Sequence, residues 1–183
     1  MANMITDNKE QVRDKTVLLF SGGMDSLMIN HIKQPEVLLN ISMNSNYDRT
    51  ERATFDSIGI DESKLINMDG VIDLGRFERD DAIIPNRNAH LILLASHYGE
   101  TILLGSVSGD RSYDKDERFY FHMENLLNHM WQGQHWTEER KFEIYSPFKN
   151  RTKTDLVEEY LQKDGKEVYL LTSYSCYEGE EQH

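Results

Sequence analysis

The sequence predicts an α/β protein with a parallel sheet of about five strands that is flanked by helices. Three observations predict this fold class: short continuous apolar runs, segments with helical spacing of apolar residues between them, and a glycine-rich turn directly after the first run. Strands that helices cover on both faces are apolar along their whole length. Their alternation with helices implies parallel pairing through right-handed crossovers.

These patterns place the individual elements. The predicted strands, in chain order, are Thr16–Phe20, Val37–Ile41, Lys64–Met68, Thr101–Leu104 and Glu143–Tyr145. The predicted helices are one that starts near Leu27 and then Asp48–Ile58, Asn88–Tyr98, Phe119–Trp131 and Lys153–Leu161. The second and third of these helices are expected to end at Gly59 and Gly99, because glycine is common just past a helix C-terminus.

Length and composition predict one domain over residues 15–183, preceded by a polar N-terminal extension over residues 1–14. A chain of 183 residues has the usual size of a single domain. Apolar residues make up 38% of the chain and aromatic residues 10%. This composition supplies a core and argues against a disordered chain.

The charge balance argues against nucleic acid as a partner. The chain has 20 Lys and Arg against 32 Asp and Glu, a net charge of -12. Affinity for nucleic acid comes largely from neutralised phosphates, so a small-molecule substrate is favoured. The longest apolar run, Leu91–Ala95, is too short for a membrane span, and the polar N-terminus has no signal-peptide pattern. The single cysteine, Cys176, excludes an internal disulfide and favours a cytoplasmic protein.

The turn Ser21–Ser26 carries the strongest functional signal. Two adjacent glycines allow positive φ angles and a close approach of the backbone to a ligand. Ser21 and Ser26 add hydroxyl groups, and a helix that starts after the turn directs its unpaired N–H groups to the same point, an arrangement that binds phosphate. The alternative is a plain strand–turn–helix connection in which Asp25 or Ser26 only caps the helix.

Asp25 adds a metal to this interpretation. A carboxylate repels phosphate, so its presence in an anion site indicates a cation between the two. Mg²⁺ is commonly held by one or two carboxylates together with phosphate oxygens. We therefore expect Asp25 to contact Mg²⁺ that is bound to the phosphates of a nucleotide.

The string S-G-G-x-D-S resembles the PP-loop of the N-type ATP pyrophosphatases, which release pyrophosphate from ATP while adenylating a substrate. Neither G-x-x-x-x-G-K-[ST] nor G-x-G-x-x-G occurs in the chain. The resemblance implies a Rossmann-like fold of the adenine nucleotide α-hydrolase type. The ATP-binding residues that it implies are Phe20, Ser21, Gly22, Gly23, Met24, Asp25, Ser26 and Leu27, together with Lys153.

Four further segments resemble the 7-cyano-7-deazaguanine synthases, the QueC family. Ile84–Asn88 is similar to the family's P-G-R-N loop, with Asn86 in place of the glycine. The remaining similar segments, in family order, are Gly105–Tyr113, Tyr145–Lys153 with Y-S-P…T-K, and Ser175–Gly179 with S-C-Y-x-G. The resemblance extends over roughly residues 16–180, nearly the whole chain.

The resemblance implies an ATP-dependent carbon–nitrogen ligase. Such enzymes adenylate 7-carboxy-7-deazaguanine, form an amide with ammonia, and then activate and dehydrate the amide to the nitrile. The implied catalytic residues are Asp25, Lys153 and Arg87, and the implied substrate-binding residues are Arg87, Asn88, Asp110 and Tyr113. ATP and Mg²⁺ are the implied cofactors, and a homodimer is the implied assembly.

Two of these residues have simpler alternatives. Lys153 is implied to add a cation to the phosphates, but the alternative is an exposed lysine on a helix that Thr152 caps. Arg87 suits a carboxylate because a guanidinium forms paired hydrogen bonds with one. Its alternative is a surface salt bridge.

The chain departs from the family pattern in two places. The family's zinc loop continues as C-x-x-C-x-x-C, whereas this sequence ends at Glu180–His183, so Cys176 is the only matching ligand. Tetrahedral structural zinc takes four ligands, and we therefore expect no zinc. The family's Y-P-D-C-R is replaced by Tyr113–Arg118, which puts the identity of the substrate in question.

Two other functions stay open. A PP-loop ligase could act on a different carboxylate, because the fold and the ATP site are shared more widely than the substrate. A nucleotide-binding protein without catalysis is the other alternative, which the missing zinc loop suggests. A PP-loop enzyme that modifies tRNA fits less well with the acidic charge and the single cysteine.

Overall fold

A parallel sheet of five strands organises the part of the chain that the computed structural model describes, which is residues 14–46, 48, 53–80, 83–110, 112–136 and 138–173. The strands are β1 (Thr16–Leu19), β2 (Val37–Ile41), β3 (Leu65–Met68), β4 (Thr101–Leu103) and β5 (Glu143–Tyr145). Their order in the sheet is β3-β2-β1-β4-β5, and every neighbouring pair is parallel. The predicted fold class is confirmed.

The strand order reverses direction at β1. Along the chain the sheet first grows from β1 through β2 to β3, and it then continues on the other side of β1 with β4 and β5. In open α/β sheets, ligands bind beyond the carboxyl ends of the strands at such a reversal. The segments that follow β1 and β4 therefore lie where a ligand site is expected.

Helices cover both faces of the sheet. They are α1 (Met24–Lys33), α2 (Arg87–Ala95), α3 (Glu117–Met130), α4 (Lys153–Gln162) and α5 (Glu167–Thr172). One core cluster joins the sheet to α2 and α3, through buried residues that include Ile92, Met123 and Leu127. The other cluster joins the sheet to α1, α4 and α5, through buried residues that include Met28, Leu156 and Leu170.

The helix predicted over Asn88–Tyr98 ends earlier than expected. It stops at Ala95, and Gly99 does not terminate it. Past Ala95 the backbone tightens, because Tyr98 N–H donates to Ala95 over 2.9 Å, only three residues back. Gly99 is needed for another reason, since a Cβ there would lie 2.5 Å from the carbonyl oxygen of Lys15.

Other boundaries also differ from the prediction. The helix predicted over Asp48–Ile58 falls partly on residues outside the described ranges, and its described end is a 3₁₀ helix, Phe55–Ser57. Gly59 has a φ of 60° there, the left-handed conformation expected of a glycine past a helix end. Lys64 belongs to a 3₁₀ helix rather than to β3. The α3 helix starts two residues before Phe119, because the Asp116 carboxylate caps it by accepting from Phe119 N–H.

Some predictions fall on residues outside the described ranges. The N-terminal extension lies outside them except for Asp14, and so do Cys176 and the C-terminal His183. Within the described ranges, no helix is both long and apolar enough to cross a membrane.

Candidate functional site

The turn after β1 has the backbone geometry of a tight connection into a helix. Phe20 extends the pairing of β1 by donating its N–H to Leu39 over 2.9 Å. Gly22 then takes a φ of 81°, which side chains disfavour, as predicted for this turn. Gly23 does not need such freedom, because it is extended at a φ of -72° and forms the N-cap of α1. Only the first glycine is therefore required by backbone conformation.

Both serine hydroxyls form hydrogen bonds within the turn. Gly23 N–H donates to Ser21 Oγ over 3.2 Å, and Ser26 Oγ donates to the Gly23 carbonyl over 2.9 Å. No side chain caps α1. The N–H groups of its first turn therefore have no acceptor within the helix, and they point towards the carboxyl edge of the sheet. Unpaired N–H groups at a helix N-terminus can bind an anion, and anion binding at this turn stays a prediction.

The structure places Lys153 beside Asp25. The distance between Lys153 Nζ and Asp25 Oδ1 is 3.4 Å. The Asp25 Oδ1 atom is itself buried and has no hydrogen-bond partner among the described residues. A carboxylate oxygen with unused lone pairs fits the demand of Mg²⁺ for oxygen ligands. The described residues contain no cluster of three or more His, Cys, Asp or Glu that could hold a metal alone.

The loops after β4 and β5 bring Lys153 to this position. Ser108 N–H donates to the Arg151 carbonyl over 2.8 Å, which ties the two loops together. Thr152 then caps α4: its hydroxyl accepts from Asp155 N–H, and the Asp155 carboxylate accepts from Thr152 N–H. Hydrogen bonds from the side chain and the backbone N–H of Thr152 to the carboxylate lower the pKa of the Asp155 carboxyl. Lys153 is the first residue of the helix that this capping box starts.

Gly105, just after β4, lies beside the first turn of α1. A Cβ on Gly105 would lie 3.7 Å from the Asp25 Cβ and 3.8 Å from the Ser26 nitrogen. The next residue, Ser106, is completely buried, and its backbone exchanges two hydrogen bonds with the Ser146 hydroxyl. The loops after β1, β4 and β5 therefore converge on one point.

Asn88 and the loop after Asp110 form a second group beside this point. The buried Asn88 donates its amide to the Asp114 carboxylate over 2.9 Å and to the Asp114 carbonyl over 3.2 Å. Asp110 accepts from Val107 N–H and lies 3.8 Å from Lys115 Nζ. Tyr113 between them is 88% exposed. The amide of Asn88 thus fixes the position of the loop after Asp110, and the exposed side chain of Tyr113 is accessible to a ligand.

Arg87 and Asn86 begin α2 at the carboxyl edge of the sheet. Asn86 has a φ of 61°, a left-handed conformation that asparagine tolerates better than other residues with a side chain. This explains how asparagine can replace the glycine of the similar family loop. Arg87 is half-buried and makes no ion pair with any residue of the described ranges. The surface salt bridge that was its alternative is not found there.

Tyr120, on α3, contacts Ser106 next to the site. Its hydroxyl lies 3.3 Å from Ser106 Oγ, and burial raises the pKa of the Tyr120 hydroxyl to about 12, with Asp110 and Asp114 adding to the rise. The sequence prediction did not include Tyr120 or Ser106 in the site. Their helical and strand-end positions are visible in the sequence, but the contact between them depends on how α3 packs.

Asn40 is a further residue that the sequence prediction missed. It lies within the otherwise apolar strand β2, and its side-chain amide donates to the Phe20 carbonyl over 2.9 Å. The signal was present, because a lone amide side chain in a buried strand is unusual. Its function depends on the neighbouring strand and could not be predicted from the strand itself.

Comparison with known proteins gives the family. A model of the family described as queuosine biosynthesis protein QueC matches residues 59–183, more than half of the chain. A 7-cyano-7-deazaguanine synthase from Psychromonas ingrahamii is 26% identical over 199 aligned residues, which cover 91% of this chain and 85% of that protein.

A solved structure is similar in fold. It is a predicted subunit of tRNA methyltransferase from Methanocaldococcus jannaschii, with a TM-score of 0.50, 18% identity, and coverage of 82% of this chain and 76% of that one. At that identity the likeness supports the α/β fold alone. The family match covers the loops after β4 and β5 and all of α2, whereas the turn Ser21–Ser26 precedes the matched residues. The chain therefore belongs to the QueC family of queuosine biosynthesis proteins.

Proposed function

We propose that the chain is an ATP-dependent, AMP-forming ligase that converts the carboxylate of 7-carboxy-7-deazaguanine to an amide and then to a nitrile, with ammonia as the nitrogen donor. The observation that carries the proposal is the approach of Lys153 to Asp25 at the uncapped N-terminus of α1. Family membership and the synthase name of the Psychromonas ingrahamii relative support the substrate class.

The first step of the proposed reaction joins the acid to AMP. A carboxylate oxygen of the acid attacks the α-phosphorus of ATP, and pyrophosphate leaves. Fixed N–H groups in the first turn of α1 and the ammonium of Lys153 stabilise the negative charge that collects on the departing pyrophosphate. Donors that are already positioned need little rearrangement during the reaction, which makes this electrostatic contribution large.

The later steps join nitrogen to the acyl carbon and then convert that bond to the triple bond of the nitrile. Ammonia attacks the acyl carbon of the adenylate and AMP leaves, which gives the amide. A second ATP activates the amide oxygen, and loss of that oxygen with AMP, together with two protons from nitrogen, gives the nitrile. Both steps again release an anion, so the same phosphate site suits both.

Asp25 Oδ1 is the atom proposed to hold Mg²⁺, because it is buried beside the turn without a hydrogen-bond partner. Bound there with the phosphates, Mg²⁺ would neutralise part of their charge. Arg87 is proposed to bind the carboxylate of the acid, since its guanidinium has no ion pair with a described residue.

A ligase for a different carboxylate is the second candidate, and the loop from Ser112 to Asp116 favours it. The Asn88 amide donates twice to Asp114, so it is occupied by the protein rather than by a ligand. Asn88 then positions the loop that carries Tyr113. The residues of this loop, rather than Asn88, would contact the substrate. An altered loop on a retained phosphate site would change the acid and not the reaction.

The test is an assay with product analysis. The purified chain is incubated with MgATP, ammonia and 7-carboxy-7-deazaguanine, and AMP, pyrophosphate and product mass are followed. We expect AMP and pyrophosphate in equal amounts and a product with the mass of the nitrile. Amide alone would show that the reaction stops halfway, and turnover with another acid only would favour the second candidate. ATP binding without AMP release would contradict the proposal.

An Asp25→Asn variant tests the assigned carboxylate in the same assay. It keeps the shape of the side chain but removes the charge, so AMP release is expected to fall by on the order of 100-fold. The matched control is Asp61→Asn, which removes an exposed carboxylate that caps the 3₁₀ helix before β3, at the edge of the sheet opposite to the turn. This control is expected to retain the full rate.

A further inference from the structure

Asn40 carries a buried oxygen without a partner, close to the phosphate turn. The side chain is 6% exposed, within a strand whose five residues are all buried. Its Nδ2 donates to the Phe20 carbonyl over 2.9 Å. Its Oδ1 is closed from solvent and has no hydrogen-bond partner among the described residues. Buried polar atoms are nearly always paired, so this oxygen needs an explanation.

The orientation of the Asn40 amide is fixed by its surroundings. Rotating the amide by half a turn would place Oδ1 against the carbonyl oxygen of Phe20, and two acceptors cannot form a hydrogen bond. Nδ2 must therefore face Phe20, and Oδ1 must point away from it. The free oxygen can be satisfied only by a donor that lies against it, such as an N–H of a ligand.

The position of Asn40 matches the base end of a nucleotide rather than its phosphates. Asn40 and Phe20 lie on the α1 face of the sheet, and Phe20 directly precedes the turn. The Lys153 ammonium lies on the other side of β1, where the end of β4 is close to Asp25. In a nucleoside triphosphate, the ribose separates the base from the phosphates by more than one strand spacing of about 4.8 Å. A nucleotide whose phosphates bind at the turn therefore has its base over β2.

The surroundings of Asn40 are suited to an aromatic ring. The rings of Phe20 and Phe55 are 5.5 Å apart, and the Thr54 hydroxyl lies 3.5 Å from the Gly22 carbonyl. The segment that carries Thr54 and Phe55 thus lies beside the turn on the side of β2. Aromatic side chains with one buried polar group among them are typical of pockets for planar ligands.

We propose that Asn40 determines the choice of base, by accepting a hydrogen bond at Oδ1 from the exocyclic amine of adenine. A purine with a carbonyl oxygen in that place would bring two acceptors together, and a purine with hydrogen there would leave Oδ1 unpaired. This inference rests on the proposed function, because it requires a nucleotide whose phosphates bind at the turn.

The test compares three nucleotides that share one triphosphate. ATP and purine riboside 5′-triphosphate differ only in the amine or the hydrogen at this position of the base, and ITP has an oxygen there together with a hydrogen on the adjacent ring nitrogen. Binding of each, with Mg²⁺, is measured by calorimetry on the wild-type chain. We expect ATP to bind on the order of 10-fold more tightly than purine riboside triphosphate, and ITP to bind most weakly.

The Asn40→Leu variant links this preference to the residue. It keeps the volume of the side chain and removes the oxygen, so the three affinities are expected to agree within about threefold. The control is Asn128→Leu, which removes a half-buried amide that pairs with the Phe142 backbone under α3. This control is expected to keep the wild-type preference.

The outcomes separate this inference from the proposed function. Equal binding of all three nucleotides by the wild-type chain would overturn the Asn40 assignment and leave the phosphate site intact. Binding of none of them would overturn both. If Asn40→Leu fails to fold, the side-chain amide signal of Asn40 is followed by NMR in the wild-type chain. A shift with ATP but not with purine riboside triphosphate supports the assignment, and no shift with either overturns it.

Discussion

Lys153 Nζ lies 3.4 Å from Asp25 Oδ1, so the first residue of α4 is paired with the first turn of α1. The two helices pack on the same face of the sheet and start at its carboxyl edge. The Asp25 carboxylate balances the charge of the lysine. A phosphate would be a stronger partner for Lys153 than the carboxylate is. The ion pair therefore holds the Lys153 ammonium at the place where the phosphates are expected.

Lys153→Met is expected to lower kcat/KM for ATP by on the order of 100-fold, because one charged donor to the phosphates is lost. The matched control is Lys163→Met, which removes a lysine at the other end of α4 that pairs with Glu159 over 3.1 Å. Steady-state AMP release checks both variants. Equal rates for the two would show that Lys153 is only a surface lysine.

Gly22 and Gly23 are expected to respond differently to a methyl group. Gly22→Ala forces a side chain into a φ of 81° and should lower the free energy of unfolding by about 1–2 kcal/mol. Gly23→Ala meets no such strain, because its φ is -72°. It should keep its stability and still weaken ATP binding, since the Cβ enters the turn.

Denaturant unfolding and nucleotide binding of the two glycine variants measure these effects separately. Loss of ATP affinity in Gly23→Ala without loss of stability is the decisive pattern. Full affinity in that variant would mean that no ligand approaches the turn closely.

Tyr120 makes stability depend on pH in the alkaline range. Burial raises the pKa of its hydroxyl from 10.0 to about 12 in the folded chain. The unfolded chain therefore loses this proton first, so the contribution of Tyr120 is complete below pH 10 and declines as the pH rises towards 12. Between pH 9 and pH 11.5 the loss amounts to about 2 kcal/mol.

The Tyr120→Phe variant removes this ionisation. The free energy of unfolding of the wild-type chain should fall by about 2 kcal/mol more than that of the variant between the two pH values. Other groups titrate equally in both chains, so their effects cancel in the difference. Parallel curves for the two chains would show that Tyr120 ionises normally in the folded state.

Arg140 is expected to matter for stability and not for activity. Its guanidinium lies 4.7 Å from the Trp131 ring and 4.8 Å from the Phe142 ring, and it donates to Glu100 over 2.9 Å and to the Ser96 carbonyl over 2.8 Å. Glu100 directly precedes β4, at the edge of the sheet opposite to the site. Arg140→Met breaks a mostly buried ion pair.

Breaking that pair should lower the free energy of unfolding by about 3 kcal/mol. Adding Glu100→Gln to Arg140→Met should restore part of the loss, because the carboxylate is then no longer buried alone. The kcat of both variants at 25 °C should equal that of the wild-type chain. An unchanged denaturation midpoint in Arg140→Met would contradict the assignment.

The sequence was sufficient for the elements with strong local signals. Apolar runs marked β1, β2 and β4, and weaker patterns marked β3 and β5. The two glycines after the first run marked the turn, because tight turns restrict residue types directly. The shorter elements were missed. The six-residue helix α5 and the 3₁₀ helices have too few turns to show a period.

Contacts between distant segments were beyond the sequence. The residues Asp25, Lys153 and Asn88 could be named from the motifs, but the pairing of Lys153 with Asp25 needs the loops after β4 and β5 to be tied together first. The same holds for Asn88, whose amide meets Asp114 only because the loop after Asp110 folds back onto α2. Such contacts follow from packing and not from local propensity.

The position of the ATP phosphates tests the central claim most directly. A crystal structure of the chain with Mg²⁺ and α,β-methylene-ATP, which cannot release pyrophosphate, would locate them. We expect the phosphates within hydrogen-bond distance of the backbone N–H groups that follow Gly22, with Lys153 Nζ in contact with a phosphate oxygen. A triphosphate bound elsewhere, with the turn empty or filled by a side chain of the protein, would contradict the account.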